Sequence, residues 1–455
     1  MSLRRNAGLR QGRLRRAVAG SAVVVAAVLV AGCGGGSEGG AQADGFTQAK
    51  QSTTKELTVW VDSTRQAAAA AYQKAHPDVK LDIVTYDGDA NGSNFLQTKV
   101  QLFNRTGSGW PDVVWSTQTN ETAWAAKGDN KFTAPLNKGL VPDATLSGFA
   151  KGSLDTCTVD GTVYCLRNDL AQVVLWYDQP LMAQFGYTVP TTWEEYETLG
   201  KRVAAEHPGY NVGDIGDAFA PEIYFWASKC PVNTLTDATT LKVDSAAPEC
   251  TRMASLIDTL HQAGSITSTG VFSNDYAKSQ AAKTLMLPGP SWFGGALFKD
   301  TFKTPGGRIA VGPALHWAAD KDQPVTGNVG GGTWLLSSHS THLDLAVEFM
   351  TFMTTDDAYQ VELAPGYPAF SAAAQGWLKK QASSGYFAGD IGPPMIDAAT
   401  RVWPGWGSPS FSQEKIWAST ITPGVTAGKT ITSLLPDWQT SIINYAKANG
   451  YRIGQ

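Results

Sequence analysis

Three short motifs in the sequence come close to catalytic or metal-binding signatures. GVTAGKT (424–430) resembles a phosphate-binding loop, but only three residues separate its two glycines, too few to form the same cradle of amide groups. GPSWFG (289–294) approaches the nucleophile elbow G-x-S-x-G, but its second glycine comes one residue late. His339 and His342 lie close together without a cluster of further ligand residues. The sequence therefore indicates no enzyme, no metal site and no cofactor.

Tryptophan is the residue type that the sequence uses most unusually, with 15 in 455 residues. Core tryptophans usually lie within periodic segments. Trp110, Trp292, Trp403 and Trp406 instead stand close to glycine or proline, in segments that read as loops. A binding role for some of these indole rings is therefore a hypothesis that the rest of the chain must support.

The first 55 residues read as a leader and a tether. Six arginines in residues 1–16 precede an uncharged apolar stretch from Ala17 to Ala31, which is short for a spanning helix. This pattern is typical of an export signal, and Val30-Ala31-Gly32-Cys33 resembles the bacterial lipoprotein box. We therefore expect a signal peptide over 1–32, lipidation of Cys33 and anchoring to the outer face of the cell membrane. An ordinary signal peptide with an incidental cysteine is the alternative. Residues 33–55, rich in glycine and polar residues, are expected to form a flexible tether.

The charge of the remaining chain excludes one class of partner. Without the six arginines of the leader, 30 basic residues stand against 40 acidic ones. An acidic surface argues against nucleic acid, because such binding depends on Lys and Arg neutralising phosphates. No stretch after the leader is long and apolar enough to cross a membrane. The membrane is therefore expected as a partner only through the lipid anchor.

Four cysteines remain after Cys33, namely Cys157, Cys165, Cys230 and Cys250. An even number in an exported chain indicates disulfides, for which three pairings exist. We favour the nearest neighbours, 157 with 165 and 230 with 250. A two-residue turn at Asp160-Gly161 would leave the first pair one place out of register, whereas a three-residue turn would place them opposite each other. Zinc is the competing hypothesis, but the spacings fit no common ligand pattern.

The pattern from Glu56 onwards alternates between strands and helices. Short joins in this part imply parallel strands with right-handed crossovers. Thr192 and Glu195 form the pattern of a capping box, which predicts a helix start. The segments concerned are strands over 57–62, 80–86 and 112–116, and helices over 64–75, from Asn94, over 340–353 and at the C-terminus around 434–445.

Four segments in order give the chain a resemblance to a known family. They are WPDVVWSTQTNETAWAAKG (110–128), VDGTVYCLRNDLAQVVLWYDQPLMAQFGYTVPTTWEEY (159–196), TLMLPGPSWFGGALF (284–298) and GNVGGGTWLLSSHSTHLDLAVEFMTFMTT (327–355). Over roughly residues 56–455 the chain resembles the extracellular solute-binding proteins of ABC importers, in the group that includes maltose- and oligosaccharide-binding proteins. The resemblance implies an α/β, two-lobed periplasmic-binding-protein-like fold with a hinge and a ligand cleft between the lobes. Lobe one would comprise 56–165 plus 311–360, and lobe two 166–310 plus 361–455.

The function implied by the resemblance is capture of a mono- or oligosaccharide by hinge closure and its delivery to the membrane permease and ATPase of the importer. A pyranose has an apolar C–H face that stacks on aromatic rings, and hydroxyls that pair with charged groups. Carried over position by position, the resemblance gives these ligand-binding candidates: Asp62, Arg65, Trp115, Asp169, Glu222, Tyr224, Trp292, Trp334, Trp403 and Trp406.

Other functions stay open at this point. The same fold could bind a polyamine, iron, a phosphonate or a peptide. The mixture of Trp with Asp and Glu also occurs in secreted glycoside hydrolases, which need two carboxylates about 5–10 Å apart. A receptor subunit that reports ligand occupancy to a sensor is a third possibility. The tryptophan content favours a sugar.

Overall fold

The computed structural model describes residues 42–43 and 46–454. The predicted signal peptide over 1–32 and Cys33 lie outside the described residues, so their assignments stay predictions. Within the part that is described, no helix combines the length and the apolar character needed to span a bilayer.

A five-stranded sheet organises the N-terminal part of the chain. The strand Glu56–Val61 pairs in parallel with both Lys80–Thr85 and Val113–Ser116, as the short joins in the sequence predict. Of the two later strands, Thr333–Leu336 runs antiparallel to this set, and Cys165–Arg167, which pairs antiparallel with Thr333–Leu336, runs in the same direction as the set. In spatial order the strands are Lys80–Thr85, Glu56–Val61, Val113–Ser116, Thr333–Leu336 and Cys165–Arg167.

The other sheets are smaller. One antiparallel sheet has Val173–Asp178 between Met286–Pro290 and Ile309–Gly312. Another contains Thr234–Asp237, Thr240–Lys242 and Arg452–Gly454. The remaining strands form pairs: Gln42–Ala43 with Phe46–Thr47, Thr158–Val159 with Thr162–Val163, and Gly213–Asp214 in parallel with Ile266–Thr267.

Helices pack around these sheets, and several begin at caps visible in the sequence. Asp62 caps Ser63–Ala75 through the amide of Arg65, and Thr192 and Glu195 form the predicted capping box of Trp193–Glu206. The other α-helices are Phe95–Thr106, Asn120–Ala125, Asp143–Ser147, Gln179–Phe185, Ala220–Tyr224, Pro248–Ala263, Asn274–Ser279, Leu343–Thr355, Asp357–Gln360, Ser371–Ser384, Gly392–Ala399, Gln413–Thr426 and Ile431–Ala448. Short 3₁₀ helices are Ala90–Gly92, Gly128–Asn130, Asp155–Cys157, Ala281–Lys283 and Ala318–Asp320, and Phe293–Thr301 is a π-helix.

Buried apolar side chains form three clusters. Two of them draw on the five-stranded sheet and its helices, from residues 46–166 and 334–369. The largest draws on residues 173–451. After Leu166 the chain leaves the two clusters around the five-stranded sheet and enters the largest cluster, and it returns to the sheet clusters at Trp334. Residues 364–374 contribute both to the largest cluster and to a cluster of the five-stranded sheet. Residues 311–329, placed in lobe one from the sequence, contribute to the largest cluster.

The structure pairs Cys157 with Cys165 and Cys230 with Cys250, the nearest-neighbour pairing that the sequence favours. Asp160 and Gly161 form a two-residue turn with positive φ, which aligns Thr158 with Val163. The cysteines are therefore one place out of register, as expected for that turn. The disulfide nevertheless forms because Cys165 has left the hairpin and begins a strand of the five-stranded sheet.

The second half of the expected tether contacts the folded chain. Phe46 is buried among the apolar residues of the five-stranded sheet and its helices. The amide of Ser52 donates to Thr341 O at 2.7 Å, and Gln51 Oε1 accepts from the amide of Leu343 at 2.8 Å. These bonds satisfy backbone groups near the start of the helix Leu343–Thr355. A polar sequence without periodicity can still dock where a helix terminus offers unpaired amides.

Candidate solute-binding site

Two chain segments run side by side where the apolar clusters meet. Residues 168–173 and 327–332, here called the crossing pair, are joined by four backbone hydrogen bonds of 2.9–3.1 Å. The strand Val173–Asp178 follows the first segment and the strand Thr333–Leu336 follows the second. The crossing pair therefore connects the five-stranded sheet to the antiparallel sheet. It contains Asp169, and four further candidates contact or adjoin it: Trp115, Glu222, Trp292 and Trp334.

Three consecutive glycines form the end of the crossing pair. Gly330, Gly331 and Gly332 have φ values of +64°, +96° and +56°, which other residues adopt only with strain. Side chains would also collide there, since a Cβ atom on Gly332 would lie 2.7 Å from the indole nitrogen of Trp115. Glycine is needed here because the loop passes directly against Trp115 and the neighbouring segment.

Arg65 and Trp115 pack against each other at this loop. The guanidinium of Arg65 lies 3.9 Å from the centre of the Trp115 ring and pairs with Asp62 at 3.1 Å. Burial lowers the pKa of Arg65, but Tyr359, Asp62 and Asp169 outweigh it and the net pKa is raised. The sequence suggested that Trp115 stacks on or lines the ligand. In the structure, Arg65 covers a face of this ring, and Trp115 is only 2% exposed.

Asp169 lies at the glycine end of the crossing pair, where its amide donates to Gly331 O at 2.9 Å. Its Oδ1 accepts from Asn168 Nδ2 at 2.9 Å, and its side chain is buried. Burial raises the pKa of Asp169, while Arg65 and the Asn168 hydrogen bond oppose this shift. Gly366 allows Asp169 and Trp292 to approach one another: a Cβ atom there would lie 2.7 Å from Asp169 Oδ2 and 3.0 Å from Trp292 Cβ. Two of the predicted residues are thus neighbours.

Trp292 is half-buried and held at its polar edge. Its Nε1 donates to Val329 O of the crossing pair at 3.0 Å. Phe219 and Phe293 meet it edge-on at 6.1 Å and 4.9 Å between ring centres, while Phe272 stacks on it at 5.9 Å and 27°. The ring is therefore fixed in orientation and remains partly open to solvent.

Two further buried carboxyl groups, those of Glu222 and Glu414, lie close to the crossing pair. The carbonyl of Glu222 packs against Gly327, and Glu222 Oε2 is buried without a hydrogen-bond partner among the described residues. Burial and then the nearby Glu414 raise the pKa of Glu222 well above its usual value. Burial likewise raises the pKa of Glu414 to about 7, although a hydrogen bond from Gln118 opposes this.

Gln118 links the five-stranded sheet to the helix Gln413–Thr426. Its Nε2 donates to Glu414 Oε2 at 2.9 Å, and its Oε1 accepts from Ser412 Oγ at 2.9 Å. The backbone of Gly92 also passes within contact distance of Ser412. The part of the chain around the five-stranded sheet therefore contacts the start of the helix Gln413–Thr426 directly.

Trp403 and Trp406 lie around a third indole, Trp226. Trp226 Nε1 donates to Trp403 O at 2.7 Å, and the Trp226 and Trp406 rings stack at 5.4 Å and 11°. The amide of Trp403 donates to Thr326 O, just before the crossing pair. Trp403 is partly exposed, whereas Trp406 is 5% exposed.

Tyr224 and Trp334 are placed in the interior. Tyr224 is fully buried beside Trp193 at 6.0 Å between ring centres. Trp334 is also fully buried, donates from Nε1 to Asn168 Oδ1 at 3.0 Å and meets Trp115 at 6.5 Å. The structure brings neither ring to the exposed side of Trp292.

A match to a family model shows which protein family the chain belongs to. Residues 58–360 match the model described as "Bacterial extracellular solute-binding protein". The chain belongs to this family. This solute-binding protein is therefore not an enzyme, in agreement with the absence of complete catalytic signatures in the sequence.

Solved structures with the same fold cover the chain almost completely. A binding protein associated with an ABC transporter from B. animalis subsp. lactis Bl-04, in complex with beta-1,6-galactobiose, has a TM-score of 0.72, 19% identity and coverage of 89% of this chain and 100% of its own. The galacto-N-biose-/lacto-N-biose I-binding protein of Bifidobacterium longum, in complex with lacto-N-biose, has a TM-score of 0.72 and 16% identity. The match covers 89% of this chain and 100% of that protein. This similarity confirms the α/β periplasmic-binding-protein fold.

A curated relative is similar over a shorter range. The Lactose-binding protein of Rhizobium radiobacter is 27% identical over 161 residues, which span 33% of this chain and 36% of the relative. The chain thus matches about a third of that relative's length.

Several polar residues near the candidate site of this solute-binding protein are not among the residues predicted from the sequence. Arg167 stands two residues before Asp169, is buried, and donates from Nε to Asp169 O at 2.9 Å. Burial lowers its pKa to about 10. Its place beside Asp169 in the chain was a usable signal. No local sequence signal could have indicated Gln118 and Glu414, because these two hydrogen-bonded residues are 296 positions apart in the chain.

Proposed function

We propose that this protein is the carbohydrate-binding component of an ABC importer, which captures a mono- or oligosaccharide and delivers it to a membrane permease. The observation that carries the proposal is the placement of a partly exposed, fixed indole, Trp292, directly beside the buried carboxylate of Asp169. One group suits the apolar face of a sugar ring and the other suits its hydroxyls. The sugar complexes and the lactose-binding relative described above support the same ligand class.

Arg65, Asp62 and Arg167 extend this polar side of the proposed site. Arg65 is fixed by Trp115 and Asp62, so its guanidinium loses little freedom when it donates to a ligand. We assign Trp115 the role of supporting Arg65 and the glycine loop rather than of stacking on the sugar. Tyr224, Trp334 and Trp406 would then act through the packing of the protein interior, because their rings are buried.

Capture by hinge closure is part of the proposal. The crossing pair and residues 364–374 are the places where the chain passes between apolar clusters, which suits them to act as hinges. The lobe boundaries would then fall near these segments, and residues 311–329 would move with lobe two. Acylation of Cys33 would hold the protein at the outer face of the membrane.

A saccharide panel tests the proposed function. Ligand that binds only the folded protein stabilises it, by about 2.7 kcal/mol at a concentration of 100 Kd. For a chain of this size we expect a rise in Tm of about 2–4 °C and a change in tryptophan fluorescence. No response to mono- to trisaccharides, together with a response to spermidine or iron, would contradict a sugar-binding role and favour another solute.

A further inference from the structure

Polar contacts, here called the seam, join the part of the chain around the five-stranded sheet to the part built on the largest apolar cluster. Gln118 donates to Glu414 and accepts from Ser412, at 2.9 Å in each case. The hydroxyl of Tyr451 accepts from Lys127 Nζ at 2.6 Å, and the same ammonium lies 4.0 Å from the centre of the Tyr451 ring. Gln118, Ser412 and Glu414 are only 5–6% exposed, so this portion of the seam is closed to bulk water.

Glu414 faces other carboxyl groups within the seam. Burial raises the pKa of Glu222 and of Asp217, and the charge of Glu414 adds to both shifts. Arg167 lowers the pKa of Glu222 and so offsets part of this repulsion. Gln118, the hydrogen-bond partner of Glu414, carries no charge. An ionised Glu414 would therefore be both buried and close to like charges, which disfavours the ionised form.

The other charged residues of the elements packed against this helix do not compensate Glu414. Asp89, beside the turn Ala90–Gly92, is engaged with amides of a neighbouring helix. Lys415 follows Glu414 in the same helix and packs its backbone and Cβ against Gly92. The remaining charged residues of these elements are exposed, namely Asp87, Asp437 and Lys447.

Separation of the two parts would change the surroundings of Glu414. In the structure, burial raises its pKa from 4.5 to about 7, although the hydrogen bond from Gln118 opposes this shift. If the parts moved apart, water would reach the carboxyl group and its pKa would return towards the ordinary value. Between about pH 4.5 and 7, closure therefore takes up a proton, and by the same linkage a lower pH favours closure.

We propose that Gln118 and Glu414 form a proton-dependent latch, which stabilises the closed, ligand-bound arrangement when Glu414 is protonated and opens more readily when Glu414 is ionised. The latch is close to the crossing pair, because Glu222 both packs against Gly327 and interacts with the charge of Glu414. Solute should then bind more tightly in an acidic medium than in a neutral one. This inference rests on the hinge closure of the proposed function and adds a regulation of that closure.

Titration calorimetry measures the proton uptake directly. The protein is titrated with lactose, β-1,6-galactobiose, maltose and maltotriose at pH 6, in phosphate and in Bis-Tris, two buffers whose heats of ionisation differ. Affinities are also measured at pH 5.5 and 7.5. The test variant is Glu414→Gln, in which the amide mimics the protonated carboxyl group.

Glu121→Gln is the matched control for this substitution. Glu121 is also a buried glutamate, 1% exposed, and its Oε1 accepts from Gln97 Nε2 at 3.1 Å. Burial likewise raises its pKa. Both partners belong to the part around the five-stranded sheet, so closure should not change their contact.

The wild type and Glu121→Gln should take up about one proton per ligand bound at pH 6, and their affinity should fall about tenfold from pH 5.5 to 7.5. Glu414→Gln should take up almost one proton fewer, and at pH 7.5 it should bind within about twofold of the wild type at pH 5.5. The latch is refuted if Glu414→Gln takes up as many protons as the wild type. An equal loss of proton uptake in Glu121→Gln would also refute it.

Small-angle X-ray scattering of the ligand-free protein tests the latch without any solute. The radius of gyration of the wild type should increase from pH 5.5 to 8, whereas that of Glu414→Gln should keep the lower value. A wild-type radius that is the same at both pH values would overturn the proposal. Binding of none of the four saccharides would count against the sugar-binding function, and the scattering result alone would then decide whether the latch exists.

Discussion

Arg65 shows how a single side chain sets the role of its neighbour. Its guanidinium covers a face of the Trp115 ring, and the glycine loop covers the indole nitrogen. The sequence places Trp115 at the end of a buried strand, but it cannot show which group occupies the ring face. Trp292 differs because Phe219 and Phe293 meet it edge-on and Phe272 stacks on it, yet part of the ring remains exposed.

The substitution Asp169→Asn should weaken saccharide binding by about 10- to 100-fold. A hydrogen bond to a charged acceptor contributes about 1.5–3 kcal/mol, and the amide keeps the shape of the side chain without its charge. Calorimetric titration with the best sugar of the panel measures this loss. Asp322→Asn is the control, since Asp322 is an exposed carboxylate. Equal affinities of the Asp169 variant and the wild type would remove Asp169 from the site.

Glu414 should make stability depend on pH. Its pKa in the folded protein is about 7, raised from 4.5 by burial, and the groups that face it are Gln118, Glu222 and Asp217. Between about pH 4.5 and 7 the folded protein retains a proton that the unfolded chain releases. Stability should therefore be highest below this window and fall as the pH rises through it, by roughly 1–3 kcal/mol.

Glu414→Gln should remove part of this fall, because the amide mimics the protonated carboxyl group. Denaturant unfolding of the wild type and the variant at pH 4.5, 6 and 7.5 measures the difference. Glu222 has a raised pKa of its own, so some pH dependence should persist in the variant. Parallel stability curves for the two proteins would show that Glu414 does not hold a proton in the fold.

At the scale of elements, local patterns predicted the regular structure well. The strands predicted over 57–62 and 80–86 occur as Glu56–Val61 and Lys80–Thr85, and the helix over 64–75 occurs as Ser63–Ala75. Thr430, the last residue of the GVTAGKT motif, caps the last helix by accepting from the amide of Ser433. These features depend on neighbours within a few residues, which is the information that periodicity and caps contain.

The capping box offers a direct test at this scale. Thr192→Ala removes the side chain that accepts from the amide of Glu195, which should lower the free energy of unfolding by about 1 kcal/mol. Denaturant unfolding measures this change. Thr198→Ala lies within the same helix and removes no cap, so it should leave stability unchanged or slightly higher. A cost as large for Thr198→Ala as for Thr192→Ala would contradict this account of the helix start.

The positions of the site residues were harder to predict than the elements that carry them. All four residues of the strand Val113–Ser116 are buried, so alternation could not indicate which side chains face a ligand. Trp403 and Trp406 stand beside glycine and proline as loop residues do, yet Trp406 is stacked on Trp226. Such packing depends on contacts about 180 positions apart in the chain, which local sequence does not encode.

At the scale of the whole molecule, the crossing pair connects folding with binding. The same two segments link the sheets, hold Trp292 through Val329 and fix Asp169 against the glycine loop. If the five-stranded sheet and the antiparallel sheet changed their relative position, the groups of the proposed site would therefore shift at the same time. Gln118, Glu414 and Ser412 form contacts that such a movement would break or make.

The most direct test is a crystal structure of the protein with the best-binding oligosaccharide of the panel. We expect one sugar ring stacked on the open part of Trp292, with its hydroxyls bonded to Asp169 and Arg65 beside the crossing pair. A sugar bound elsewhere on the protein, with Trp292 and Asp169 free of contact, would contradict this expectation.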